Sequence, residues 1–189
     1  LPFYANKQTL KDVFHRFDYI FMETQIGGGK PKIYLQNINK LTEENPLKIG
    51  DIEILPVPMR HGRLHSNGYM FSTFKKNEKH SILYLTDCSA IREKGFKTIR
   101  EKGGIIDHAI IDGLREEDHA THFNYYSALE TGLKINAKHI YLTHITHQHT
   151  NTEISQLLDT KLEELGIKEQ FYLENRTALP GYDGLKLKI

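Results

Sequence analysis

Apolar positions along this chain change their period twice. The segment that opens with Leu1, Pro2 and Phe3 reads as a strand leading into a helix. Leu10, Val13, Phe14 and Phe17 then keep the i, i+3, i+4, i+7 spacing of a helix that packs on one face. Gly27, Gly28 and Gly29, followed by Lys30 and Pro31, are read as a loop, because three glycines hold neither regular element cheaply. No Gly-Lys-Ser/Thr ending and no helix signal follow them, so they do not make a phosphate-binding loop.

From residue 32 to 74 the pattern shortens into KIYLQNI (32–38), DIEILPVPM (51–59) and GYMFSTF (68–74), separated by Gly, Pro and Asn. This reads as an antiparallel meander. The texture then alternates. SILYLTD (81–87) is a strand ending in Asp87, a weak helix spans about Ile91 to Lys102, and IIDHAIIDG (105–113) is a continuous apolar strand ending in Asp112. Tyr125, Ala128, Leu129 and Leu133 mark a helix capped by Asn124 or Thr121. HIYLTH (139–144) is another buried strand. Ile154, Leu157, Leu158, Leu162 and Leu165 give the clearest helix, with Asn151 or Thr152 before it and Gly166 after it. QFYLE (170–174) and GLKLKI (184–189) read as closing strands. Strands that first meander and then alternate with helices predict an α/β layered domain with a mixed sheet. Runs such as AIID and IYLT suit strands covered on both faces.

The 189 residues suffice for one domain with a real core, and no repeat or linker divides them, so 1–189 is expected to be one domain. Lysine and arginine number 25 against 24 acidic residues, which gives no global field for capturing nucleic acid or an anionic membrane. No apolar run approaches the roughly 20 residues that span a bilayer, and no signal-peptide pattern opens the chain. A single cysteine, Cys88, excludes an intrachain disulfide and suits a reducing compartment, so a cytoplasmic location is expected. The first residue is Leu1 rather than Met, in a segment already reading as strand, which leads us to expect a preceding portion.

Eleven histidines bring chemistry into this picture. His61 follows EILPVPMR, Asp87 follows ILYLT and His144 follows IYLT, so all three stand just after an apolar strand. Sites in open α/β sheets assemble at the carboxyl ends of strands, where loops converge on a rigid base. Imidazole and carboxylate ligate zinc, iron or manganese, and a carboxylate can bridge two ions. One histidine at a strand end is ordinarily a satisfied polar residue, and one aspartate a cap or turn residue. The coincidence of three carries the metal reading. Arg63 and Arg115, on loops beside these positions, are candidate phosphate partners, against the ordinary reading of a solvated arginine. Asp112 either orients an imidazole or caps a helix. Strand alternation turns Cys88 away from its neighbour Asp87, so it is expected to be a buried structural thiol.

The strings PVPMRHG…GY, YLTDCSAI, IIDGLRE…HATHFNYYSALE and YLTHITHQ resemble the successive motifs of metallo-β-lactamase-fold phosphodiesterases, and GYDGLKLKI resembles their closing strand. The nearest branch in resemblance hydrolyses phosphoribosyl cyclic phosphate in phosphonate breakdown. The resemblance implies the C-terminal portion of an αββα sandwich, with His61 on one metal ion, Asp87 bridging two and His144 on the other. It also implies that His122, in HATHF, faces the substrate and either contacts the scissile phosphate or protonates the leaving oxygen; His119, in the same tract, and Arg115, on its flanking loop, are read beside it as candidate substrate contacts. In some relatives the position of His147 joins a structural zinc; a surface role is the alternative.

The sequence departs from the family in one large respect. The motif HxHxDH does not occur; His147-Gln148-His149 lacks the Asp-His pair that should follow. Two ions about 3.5–4 Å apart need more ligands than three side chains supply. The expectation is therefore two divalent ions, zinc or manganese, in a longer parent, with the site incomplete and inactive in this chain. The function expected of the parent is a cytoplasmic phosphodiesterase that uses metal-bound hydroxide on a small cyclic or activated phosphate ester, a small-molecule substrate, with a homodimer as a possible assembly. A nuclease or tRNA 3′-processing role, a lactonase or thioesterase, and a non-catalytic metal-poor fragment are the alternatives. Near-neutral charge speaks against nucleic acid as a partner.

Overall fold

The computed structural model describes residues 1–23, 29–42 and 45–188. The glycine loop expected at Gly27 to Gly29 falls mostly outside them. The chain forms two compact units, Leu1–Leu47 and Lys48–Ile189.

In the first unit, β1 (Pro2–Ala5) pairs in parallel with β2 (Tyr34–Asn37), with Phe3 opposite Leu35. Between them lies α1 (Lys7–Arg16), whose cap Asn6 accepts a hydrogen bond from the Thr9 amide. The meander reading fails at KIYLQNI: β2 belongs to this two-stranded sheet, because β1 offers a parallel edge that the sequence could not reveal. The packed-face reading of α1 also fails, since none of its residues is buried. Phe14 instead stacks on Phe21, with ring centroids 5.2 Å apart.

The second unit is built on a sheet ordered β10-β9-β8-β6-β5-β4-β3, with the short β7 (Ala90–Ile91) pairing β4. β3 (Leu47–Ile49) begins at the boundary between the units. Strands β4 (Ile52–His61), β5 (Leu64–Lys75) and β6 (Glu78–Leu85) are antiparallel, as the meander requires. β6, β8 (Ile105–Asp112), β9 (His139–Thr143) and β10 (Thr177–Pro180) are parallel neighbours. Helices α2 (Glu93–Lys102), α3 (Tyr125–Lys134) and α4 (Asn151–Glu164) come between them, as βαβ connections do.

Alternation decides which face is core. Val57, Met59, Met70, Leu83, Leu85 and Leu142 are fully buried and join Leu129, Ile154 and Leu158 of the helices in one cluster. Burying side chains of this size stabilises by about 1.5–3 kcal/mol each before ordering costs. A bulge between Ser81 and Ile82 of β6 leaves Asp107 of β8 as the extra residue; beyond it, ordinary alternation puts His108 and Ile110 on the other face from Ala109 and Ile111.

Three end signals resolve differently from the sequence reading. α3 takes Asn124 rather than Thr121 as its cap. α4 is capped by Thr150, in a reciprocal capping box with Glu153, so Asn151 and Thr152 lie inside the helix. QFYLE is a helix, α5 (Lys168–Leu173), because only Phe171 needs burial and the edge beside β9 is filled by Thr177–Pro180. GLKLKI forms no strand over its described residues, although Leu185 and Leu187 still turn inward while Lys186 and Lys188 turn out. Among the described residues no helix is long and apolar enough to cross a membrane.

Candidate metal centre

The carboxyl ends of β4, β6, β8 and β9 deliver His61, Asp87, Asp112 and His144 to one end of the sheet. Two of these carry strained backbone. Asp87 has φ 53° and His144 φ 61°, the left-handed region that non-glycine residues rarely occupy. Strain of this kind, of order 1–3 kcal/mol per residue, persists where surrounding contacts over-determine it. Around Asp87 those contacts are visible. The Ser66 hydroxyl donates to the Asp87 carbonyl (3.3 Å), the Ser89 amide donates to the Arg60 carbonyl (2.7 Å), and the Gly62 amide donates to Ser89 Oγ (2.9 Å). Neither serine stood out in the sequence, since a loop hydroxyl carries no pattern.

The loop after β8 brings His122 into the middle of the group. His122 Nε2 lies 3.2 Å from His61 Nε2, and its ring stacks on His144 with centroids 4.8 Å apart. His61, Asp87 and His122 each offer one ligand atom within 4.8 Å of the others. His144 Nε2 stands 4.0 Å from Asp87 Oδ1. The tightest trio therefore holds His122 rather than His144.

Asp112 explains how His122 is held. It is completely buried, and its Oδ2 lies 2.7 Å from His122 Nδ1 and accepts a hydrogen bond from the Cys88 amide at 2.8 Å. A carboxylate bonded at Nδ1 places a proton there and leaves Nε2 free to accept, so the His122 Nε2 lone pair is aimed at His61. Of the two sequence readings of Asp112, the geometry carries the orienting one. Cys88 beside it is fully buried, and burial pushes its thiol up to about 12. It is inert structure, as expected.

The flanking candidates differ. His119 is exposed, with its ring 5.2 Å from His122 and its Nδ1 3.2 Å from Thr121 Oγ1. Arg115 turns back on its own loop, its buried Nε 3.7 Å from Glu117 without a hydrogen bond and its Nη2 3.4 Å from the Asp118 carbonyl. Arg63 and His147 are exposed.

The donor set fits a divalent metal ion. Two imidazole nitrogens 3.2 Å apart compete for one proton in the absence of a cation, while an ion beside a carboxylate satisfies both lone pairs. Four side chains remain too few for two ions.

Comparison with family models matches residues 1–145 to the beta-lactamase superfamily domain. Among solved structures, the chain is 28% identical to a diphosphatase of the PhnP family, over 82% of this chain and 51% of that one, with a TM-score of 0.62. The metallo-beta-lactamase fold protein YhfI of Bacillus subtilis is 16% identical over 98% of this chain and 64% of that one, with a TM-score of 0.63. An isothiocyanate hydrolase from Delia radicum gut bacteria is 14% identical over 100% of this chain and 67% of that one, with a TM-score of 0.58. The chain thus spans between half and two thirds of the length of the first two structures. Comparison with curated proteins gives no match.

Proposed function

The chain belongs to the beta-lactamase superfamily, and from that premise we propose that it is the ligand-bearing part of a metal-dependent hydrolase acting on a small cyclic or activated phosphate ester. One observation carries the reading: His61, Asp87 and His122 converge within 4.8 Å, with His144 at their edge. The diphosphatase likeness, at 28% identity, supports a phosphorus ester over a carbonyl substrate.

In this reading His61, Asp87 and His144 would hold divalent metal, zinc or manganese. The ions, when bound, polarise the phosphoryl oxygens and lower the pKa of a water. The chain's own residues do the rest. Asp112 fixes the His122 ring with Nε2 toward the reacting phosphate; once Nε2 has taken a proton, with Asp112 stabilising the imidazolium, it would either donate to a phosphate oxygen or pass that proton to the leaving oxygen. His119, next to His122, is placed to meet the same phosphate. Arg115 reaches it only by leaving Glu117.

A second reading has its own observation. His122, rather than His144, completes the tightest trio, which makes His122 a ligand and leaves His144 for substrate.

The test is hydrolysis of a bis-aryl phosphate by the protein that contains this chain, loaded with Mn²⁺ or Zn²⁺. Asp87→Ala should abolish turnover, and undiminished turnover would sink the proposal. His122→Ala separates the two readings: retained metal with lost turnover makes it the proton donor, and lost metal makes it a ligand.

A further inference from the structure

At the end of the sheet opposite the metal centre, two histidines stack, and one of them is held in a way that only its neutral form can satisfy. His108 of β8 and His139 of β9 are register partners in the parallel ladder, and their rings stack at 5.1 Å with 26° between planes. His108 is buried, at 6% exposure. Its Nε2 lies 2.8 Å from the Lys188 carbonyl, so Nε2 carries the proton and donates. Its Nδ1 is then a bare lone pair, buried and without a partner. A proton at Nδ1 would be a buried donor with no acceptor, on a cation stacked against a second imidazole. His139 Nδ1 is itself engaged by Thr177 Oγ1 at 3.0 Å.

The acceptor of the His108 bond gives the stack a consequence. Lys188 ends the described C-terminal segment, and Leu185 and Leu187 of that segment line a cavity of about 350 Å³ together with Ile110, Tyr141 and His144. The segment thus lies along β8 and β9, with its far end tied at His108 and its near end beside the candidate metal ligand. We propose that the His108–His139 stack is an acid-sensitive latch, which holds residues 181–188 over this cavity when both rings are neutral and frees them when either ring is protonated.

The groups around the stack act in both directions. Lys138 opposes a charge on His139, while Asp107 favours one. Asp107, however, is already engaged by His80 (2.7 Å) and Lys138 (3.0 Å). Tyr141 stands 5.9 Å from His108 on the β9 side, and on β6 the register partner of His108 is the uncharged Ile82. Burial, and then His108, are the leading influences on His139, and both lower its pKa. The latch therefore stays closed at neutral pH and opens on the acid side of the ordinary histidine range.

Leu187→Cys gives a direct readout, because the only native thiol, Cys88, is fully buried. Labelling with a disulfide reagent is compared with a free model thiol at about pH 7.5 and about pH 5.5, on either side of the ordinary histidine pKa. In the otherwise native chain, relative accessibility should rise by up to about tenfold at the lower pH, the most that one group with an ordinary open-state pKa of about 6.5 supplies one pH unit below it. With His108→Gln and His139→Phe combined, which keep an amide able to donate to the Lys188 carbonyl and leave neither position titratable, it should stay flat. A flat native response, the same rise in that double variant, or simultaneous labelling of Cys88 (global unfolding) would each overturn the latch. Should Leu187→Cys not fold, ring NMR of the unsubstituted chain decides. Depressed titration of His139 together with a shift of residues 181–188 supports the latch, and an ordinary titration of His139 with no such shift contradicts it.

Discussion

Asp112 Oδ2 sits 2.7 Å from His122 Nδ1 while the same carboxylate oxygen takes the Cys88 amide, one residue beyond Asp87. A single buried acid thus fixes the ring that faces the centre and the loop that presents its carboxylate. Asp112→Asn keeps the volume but replaces one acceptor oxygen with a donor amide. Partners of this kind typically affect metal affinity or turnover by ~10–100-fold, and that loss is expected here. Asp112→Ala adds a folding cost, because two buried donors lose their acceptor, of about 1–3 kcal/mol each. Urea melts with and without metal separate the two effects.

Gly95 tests how closely α2 is seated on β4. A Cβ there would meet the Pro58 carbonyl oxygen at 2.6 Å and Ile91 Cγ2 at 2.9 Å. Gly→Ala inside a helix ordinarily gains roughly 1 kcal/mol. Backbone contact cannot relax as a flexible side chain can, so overpacking of about 1–3 kcal/mol should win and lower the thermal midpoint. A raised midpoint would show that α2 is free to shift.

Thr150→Ala should destabilise by about 1 kcal/mol, as loss of an N-cap does. The Thr150 hydroxyl caps the Glu153 amide while the Glu153 carboxylate takes the Thr150 amide at 2.7 Å. Thr152→Ala, inside the helix, should change stability far less. Equal effects on the urea midpoint would contradict the assignment of the cap.

Acid lability should come in two steps of the same sign. His139 is lowered in the fold by burial, so the unfolded chain binds the extra proton first, and stability falls as pH drops below about 6.5. Burial raises Asp107, but the bonds from Lys138 and His80 outweigh it and hold the carboxyl below its ordinary value. Its contribution is therefore present above about pH 3.9 and is lost as pH falls further. Chemical denaturation across pH should show the first step vanish in His139→Phe and the second in Asp107→Asn.

The strands β4, β5, β6, β8 and β9 and the helices α2 to α4 were legible because their apolar periods are long and their ends are marked by Asn124, Gly166 and strand-final Asp or His; β7 was not, and its Ile91 read as part of the helix that follows. QFYLE was not, since five residues with one buried aromatic satisfy either period. The position of His61, Asp87 and His144 at strand ends was readable from sequence, but the distances among them depend on strand order and register, which period alone does not set. The insertion of His122 between two of them depends on the Asp112 bond, across ten residues of irregular loop, and no spacing rule predicts that.

The central claim is that these side chains bind a metal ion, and Zn²⁺ or Mn²⁺ affinity measured by competition with a chelating dye tests it most directly. The account predicts no more than one ion bound by this chain, weakened at least ~10-fold by His61→Ala and by Asp87→Ala, which are expected to cost no less than the loss of a supporting partner, and unchanged by Arg63→Ala on the exposed turn. Equal affinity in native chain and Asp87→Ala, or two tightly held ions in these 189 residues, would contradict it.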